Sequence, residues 1–291
     1  NQRGFHMALV EVHDLLSHAT EHHYGVPAVN TFNFETIKYI VAGAEQEHMP
    51  VIVQFFPGFY EYIPLKLVAA IACHSAEPAS VPVAVHLDHS AGYAIAVGCI
   101  RAGFPSVMVD GSSLPYEENV ALTKAVAEVG KVFGVDIEAE LGHVGSGANA
   151  EDFVGSDMYT DPAQAAEFVE RTGCGSLAIA GGNAHGPYVK TPHLDMERIK
   201  EVRAAVSIPL VMHGCSDIPD EQLQETVNLG MSKYNIATEY FRAMYKSIEK
   251  NVATGEFDEN AFGLMQAAGK DMTDFVASKI RLLNPNGYTL A

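Results

Sequence analysis

Short apolar runs alternate with stretches of helical hydrophobic spacing along nearly the whole chain, the pattern of strands followed by helices. The run Val83-Ala84-Val85-His86-Leu87-Asp88-His89 is the clearest of them. It opens apolar and β-branched, as a strand buried on both faces of a parallel sheet does, and it closes in three titratable groups. The same reading predicts strands over 27–33, 50–56, 82–87, 106–109, 135–141, 176–180, 208–212 and 231–236. Helices are predicted over 35–47, 63–75, 91–102, 116–133, 161–172, 194–205, 219–229, 239–251 and 261–283. Pro162 suits the first turn of its helix, where no backbone N–H is needed.

Eight strand–helix units follow one another with no linker or shift in composition. In a chain of 291 residues that points to an α/β fold of the closed (β/α)8 TIM-barrel type, with extra helices at the C-terminus. Residues 7–291 are expected to form one domain, and 1–6 to be a cloning remnant outside it. The competing architecture is an open doubly wound sheet. It normally carries a Gly-rich phosphate fingerprint after its first strand, and residues 28–34 have none. The stretch 142–155 holds four glycines between two periodic segments and reads as a long loop, the usual form of a lid.

Composition narrows the function. A formal net charge of −18 repels nucleic acid and anionic membranes, which leaves a small molecule as the expected partner. No apolar run has the length of a membrane span and no signal peptide is visible, so a cytoplasmic protein is expected. Cys73, Cys99, Cys174 and Cys215 are scattered and read as free thiols. Thirteen histidines against no tryptophan raise the expectation of a metal site.

In a parallel barrel the carboxyl ends of the strands converge on one face. The chemistry-bearing residues there are His86, Asp88, His89, Asp110, Glu138, Glu140, His185, His213, Asn235 and Thr238. Three histidines arriving from separate strands, with one position left open, are the donor set of a catalytic zinc. The plainer alternative is that each histidine only caps its strand through a hydrogen bond.

These residues fall in motifs that resemble the class II, zinc-dependent ketose-bisphosphate aldolases, the fructose- and tagatose-bisphosphate aldolases among them. The matching pieces are His86-Leu87-Asp88-His89, Asp110-Gly111-Ser112 with Leu114-Pro115-Tyr116-Glu117-Glu118-Asn119, and Glu138-Ala139-Glu140-Leu141-Gly142. They continue with Asn183-Ala184-His185-Gly186 and Tyr188, His213-Gly214, and Asn235-Ile236-Ala237-Thr238. The resemblance spans almost the whole chain from Met7 and implies a barrel working as a homodimer or homotetramer. It implies Zn2+ on His89, His185 and His213, with Glu140 as an alternative or supporting carboxylate and Asp110 behind the ligands. It makes Asp88 the acid/base at the substrate C4 hydroxyl, and Glu151 the loop acid that exchanges a proton with the nucleophilic carbon. His86 becomes a supporting residue. Asn33, Gly182, Gly186, Gly214, Ser216, Asn235 and Thr238 are the implied substrate and phosphate contacts. The implied reaction is the reversible retro-aldol cleavage of a ketose (bis)phosphate to a dihydroxyacetone (phosphate) fragment and an aldehyde. Such chemistry needs no Schiff-base lysine; Lys190 and Lys233 are formal candidates that read better as surface or anion contacts.

The chain departs from its relatives around the substrate. Cys215 and Asp217 stand where small residues or glycine are usual, and Asp217 beside a phosphate costs affinity unless it turns away or meets a cation. Relatives often hold a monovalent cation near this place, which gives Asp217 a partner in that reading. Phe56 stands near the position of a usual serine, read either as core packing or as a changed aldehyde site. The loop carries His143 and Ala148-Asn149-Ala150, and Val189 replaces a frequent lysine. Lys279 and Arg281 read as favourable charges at a helix C-terminus or as contacts to a distant anion. Because the changes spare the metal set and Asp88, a non-standard substrate is expected. An aldolase for an unphosphorylated ketose, a catalytically silent barrel, and a metal-dependent sugar isomerase or epimerase are the rival readings.

Overall fold

A computed structural model of the chain describes residues 8–142, 144–146, 158–186 and 188–290. The elements run α1 (Val12–Glu21), β1 (Val26–Thr31), α2 (Phe34–Glu47), β2 (Val51–Phe55), a 3-10 turn (Pro57–Phe59), α3 (Leu65–Ala76) and β3 (Val83–Ser90). They continue through α4 (Tyr93–Ala102), β4 (Ser106–Val109), α5 (Tyr116–Phe133), β5 (Asp136–Leu141), β6 (Gly145–Ser146), α6 (Pro162–Thr172), β7 (Ser176–Ile179) and β8 (Ala184–His185). The last are α7 (Met196–Ala205), β9 (Leu210–Met212), α8 (Asp220–Asn228), β10 (Met231–Ile236), α9 (Thr238–Ala253) and α10 (Ala261–Leu282).

Eight strands close into a barrel in the order β1-β10-β9-β7-β5-β4-β3-β2, and β6 pairs with β8 as a separate two-stranded ribbon. This is the (β/α)8 TIM barrel expected from the alternation. Every ladder is parallel, with β1 and β10 closing the ring through Ala28↔Asn235. Strand residues two apart share a face, so His86 and Asp88, Glu138 and Glu140, and Lys233 and Asn235 stack in successive layers. All of them are buried.

Local sequence places the helices. Asn33 accepts from Thr36 N at 2.9 Å and caps α2, and Asp161 caps α6 ahead of Pro162. The alternation predicts no element ahead of the first strand, yet residues there form α1. That helix lies across the amino ends of the strands: His13 N donates to Asp136 Oδ2 at 2.8 Å, and Val10 N donates to Val83 O at 3.0 Å. Among the described residues no helix is long and apolar enough to cross a membrane.

Candidate active site

The three histidines come together at the carboxyl ends of their strands. His89 Nε2 lies 3.0 Å from His185 Nε2 and 2.9 Å from His213 Nδ1, and the last two are 3.4 Å apart. Each arrives by a different local device. In β3 the pairing with β4 passes from Leu87↔Val107 to Ser90↔Val109, so the strand holds one extra residue there. His89 takes a left-handed φ of 33° in that bulge, which aims its ring out of the regular alternation. His185 ends β8, held to the described start of the long loop by the pairing of Ala184 with Gly145 and of His185 with Ser146. His213 follows β9 and is fully buried. Gly214 after it lets two loops touch, since a Cβ there would stand 1.9 Å from Ala184 O.

Acids surround this cluster. Asp110 Oδ2 lies 3.0 Å from His89 Nδ1, while its Oδ1 accepts from Ser112 N and Oγ at 3.0 and 2.7 Å. Those bonds overcome burial and hold the Asp110 carboxyl far below its ordinary value. Glu140 is buried, and among the described residues its Oε2 has no hydrogen-bond partner; it lies 3.6 Å from His213 Nδ1. Burial, then the nearby Asp110 charge, push its pKa up to about 8. Burial lowers His89, but Asp88, Asp110 and Glu140 outweigh it and raise the ring to about 9. Burial and then His89 push His185 down to about 4.

Two donor sets meet within bonding reach of a single ion: His89, His185 and His213, and His89, Asp110 and Glu140. Converging imidazole nitrogens, a buried carboxylate oxygen without a donor, and a surplus of acid around His89 all suit a divalent cation. The residues present therefore fit the metal that the sequence motifs implied.

Asp88 stands beside the cluster, its Oδ1 3.7 Å from His89 Nε2. Asn30 Nδ2 donates to Asp88 Oδ2 and Asn235 Nδ2 donates to Oδ1, both at 3.2 Å. Gln54 Nε2 donates to Asn30 Oδ1 at 3.0 Å behind them. Burial raises the Asp88 pKa, but facing His89, His213 and Lys233 bring it below the ordinary value. A cleft of about 320 Å³ opens over this group, lined by Asn30, Asp88, His89, His185, Gly186, Gly214, Ser216, Asn235, Ala237 and Thr238.

Of the expected substrate contacts, Gly186, Gly214, Ser216, Asn235 and Thr238 line the cleft. Gly182 packs beneath His193 instead, where a Cβ would meet the His193 carbonyl at 2.4 Å. The Asn33 side chain is engaged in the α2 cap. Asn30 and Gln54 were not anticipated; amide side chains inside otherwise apolar strands were the signal for them. Glu151, His143 and Ala148–Ala150 lie outside the described residues.

Several side chains differ from expectation. Lys233 is not at the surface: it is fully buried, and the anion it meets is the protein's own Glu138, whose Oε2 accepts from it at 2.8 Å. Phe56 is not core, being 38% exposed with its ring edge-on to Phe59 at 5.6 Å. Asp217 faces a protein cation, since Arg242 forks onto both its oxygens at 2.8 Å. That bond holds the Asp217 carboxyl below its usual range despite partial burial. Cys215 is buried and donates to Met212 O at 3.1 Å. Lys279 pairs with Glu239 at 2.6 Å and Arg281 with Glu47, so neither charge is spare for a distant anion. His86 Nδ1 meets Ser106 Oγ at 2.8 Å, below the converging rings.

The model of the family "Fructose-bisphosphate aldolase class-II" matches residues 10–288. The chain belongs to the class-II fructose-bisphosphate aldolase family. Among the relatives of this aldolase chain is the uncharacterized protein YdjI of Escherichia coli (strain K12), 38% identical over 269 residues, covering 92% of this chain and 95% of YdjI. The crystal structure of the YdjI aldolase from Escherichia coli K12 is similar with a TM-score of 0.85 and 35% identity, over 96% of this chain and 98% of that one. A putative fructose-1,6-biphosphate aldolase from Coccidioides immitis follows at a TM-score of 0.81 and 29% identity, over 95% and 97% of the two chains. Fructose-bisphosphate aldolase from Campylobacter jejuni shares the fold at a TM-score of 0.81 and 21% identity, over 96% of each chain.

Proposed function

We propose that this class-II aldolase chain is a zinc-dependent lyase that cleaves a ketose phosphate or bisphosphate, reversibly, to a dihydroxyacetone or dihydroxyacetone phosphate fragment and an aldehyde. The observation that carries the reading is the approach of three imidazole nitrogens, from His89, His185 and His213, to within 3.4 Å of one another beside Asp88. Zinc bound there would supply a Lewis acid for the ketose oxygens next to the bond that breaks. His89 and His213 are braced for it from behind by Asp110 and Glu138.

Asp88 is the base in cleavage. It takes the proton of the substrate C4 hydroxyl as that carbon becomes the aldehyde, and returns it in the condensation direction. Proton transfer by a side chain held in place contributes about 10²–10⁴ in rate. Asn30 and Asn235 hold the carboxylate from both oxygens. Thr238 opens α9, whose backbone N–H groups and helix dipole favour a phosphate; Ser216, which accepts from Glu239 N at 3.3 Å, lines the cleft with Gly214 and Asn235. In this reading the Arg242 fork supports a phosphate there by offsetting the Asp217 charge. Glu151 completes the scheme as the acid that exchanges a proton with the nucleophilic carbon. We take the working unit to be a homodimer or homotetramer; Tyr62, Tyr245 and Phe262, 68%, 67% and 75% exposed, offer apolar surface for it.

The deciding experiment is a panel of ketose monophosphates, ketose bisphosphates and free ketoses, with each aldehyde product identified. It is run on protein stripped of metal and then reloaded with zinc. Cleavage of one class, lost on stripping and regained with zinc, is expected. Turnover that persists in fully stripped protein, or zinc-loaded protein that yields no aldehyde from any member, refutes the proposal.

A further inference from the structure

One layer below Asp88, buried charges stand behind the metal ligand His213. Lys233 has no solvent exposure, and its ammonium donates to Glu138 Oε2 at 2.8 Å. The other oxygen of that carboxylate, Oε1, lies 3.0 Å from His213 Nε2. His86 Nε2 stands 3.6 Å from Glu138 Oε2, while its Nδ1 is engaged by Ser106. All four side chains of this set, on Lys233, Glu138, His213 and His86, are shut off from solvent.

The polarity of the chain of bonds is decided at its lysine end. An ammonium is a donor only, so Glu138 has to accept from it. A carboxylate that accepts at Oε2 as the partner of a cation is an acceptor at Oε1 as well, and it calls for an N–H on His213 Nε2. An imidazole that binds a metal is the neutral ring with a single N–H, and Glu138 draws that hydrogen to Nε2. With that hydrogen on Nε2, Nδ1 presents its lone pair toward His89 Nε2 and His185 Nε2.

We propose that Lys233 is a positioning residue for the metal centre: by keeping Glu138 an acceptor, it locks His213 in the tautomer whose Nδ1 ligates the ion. Stability alone is a poor reason for such a pair, since apolar side chains of similar volume often replace a buried salt bridge at no cost. This inference rests on the metal-site reading above, and its first test needs no metal.

In metal-free protein labelled with 15N-histidine, two-bond 15N–1H correlations report the tautomer of His213, its ring signals assigned through the backbone. Nε2–H is expected in the natural chain. In Lys233→Met the ring shifts toward Nδ1–H, and the zinc affinity of the folded protein, measured by chelator competition, falls about 10–100-fold. Lys233→Arg, again a donor-only cation, keeps both the tautomer and the affinity. A purely structural lysine would lower the melting temperature of Lys233→Met and leave tautomer and affinity unchanged, which overturns the proposal. His213 protonated at Nδ1 in the natural chain overturns it too, and decides the matter if Lys233→Met does not fold. Nε2–H on His213 that is lost in Lys233→Met, in a protein that binds no zinc, would instead refute the zinc reading and the metal role while leaving the tautomer lock itself in place.

Discussion

Removing one hydroxyl should loosen the two loops that carry His185 and His213. Tyr188 Oη accepts from Ala184 N at 2.8 Å and donates to Gly214 O at 2.8 Å, tying the residue before one histidine to the residue after the other. Tyr188→Phe keeps the ring and deletes both bonds. A hydrogen bond of this kind is worth about 0.5–1.5 kcal/mol net, so the pair contributes about 1–3 kcal/mol. The upper part of that range applies here, because Ala184 is 1% exposed and water has little access to its N–H. A loss of about 2–3 kcal/mol lowers the melting temperature of a chain this size by roughly 4–12 °C. The assay is thermal unfolding of metal-free protein, alongside zinc affinity by chelator competition. The matching control is Tyr93→Phe, at a ring 48% exposed, where a change within about 0.5 kcal/mol is expected. If Tyr188→Phe melts with the control and binds zinc as tightly as the natural chain, the bridge does not order the histidine loops and the reasoning fails.

Asp88→Asn should keep zinc bound and lower kcat by about 10²–10⁴, read from turnover together with metal content; metal lost along with rate would show that Asp88 had been given the wrong role. Arg242→Ala leaves the Asp217 charge next to Ser216 unpaired. Stability should change by less than about 1 kcal/mol, as for exposed ion pairs. KM for a phosphorylated substrate should rise, most at low ionic strength, and a KM that ignores salt would place the phosphate elsewhere. Phe56→Ser removes a ring that is 38% exposed and lies edge-on to Phe59. It should raise the rate of fructose 1,6-bisphosphate cleavage if Phe56 limits the aldehyde side, and an unchanged rate argues that it does not.

Much of the barrel can be read from the chain because its strands are buried on both faces and several, β3, β4 and β9 among them, run straight into polar residues. The segments 106–109, 116–133 and 231–236 match β4, α5 and β10 end for end. Helix α1 escaped because no apolar strand precedes it to mark a repeat unit. The ligand set was visible as histidines at strand ends, but the bulge that turns His89 inward was not, since an extra residue shows only against the neighbouring strand. Ion pairing was also invisible along the sequence. Arg242 reaches Asp217 from 25 positions away and Lys233 reaches Glu138 from 95, and only ring closure brings the latter two together. Asn30 lay unnoticed for a similar reason: its partner Asp88 is on a strand two places around the ring.

Burial of the Lys233–Glu138 pair inside the barrel has an effect on how the protein responds to its medium. With Lys233 and Glu138 at zero exposure, dissolved ions do not reach them, whereas Arg242 and Asp217 sit at the rim within their reach. At 0.15 M salt exposed charges are screened over about 8 Å, while buried pairs are screened much less. Ionic strength therefore acts as a selective probe of this molecule: it tunes the lip of the cleft and leaves the charges beneath the histidines untouched.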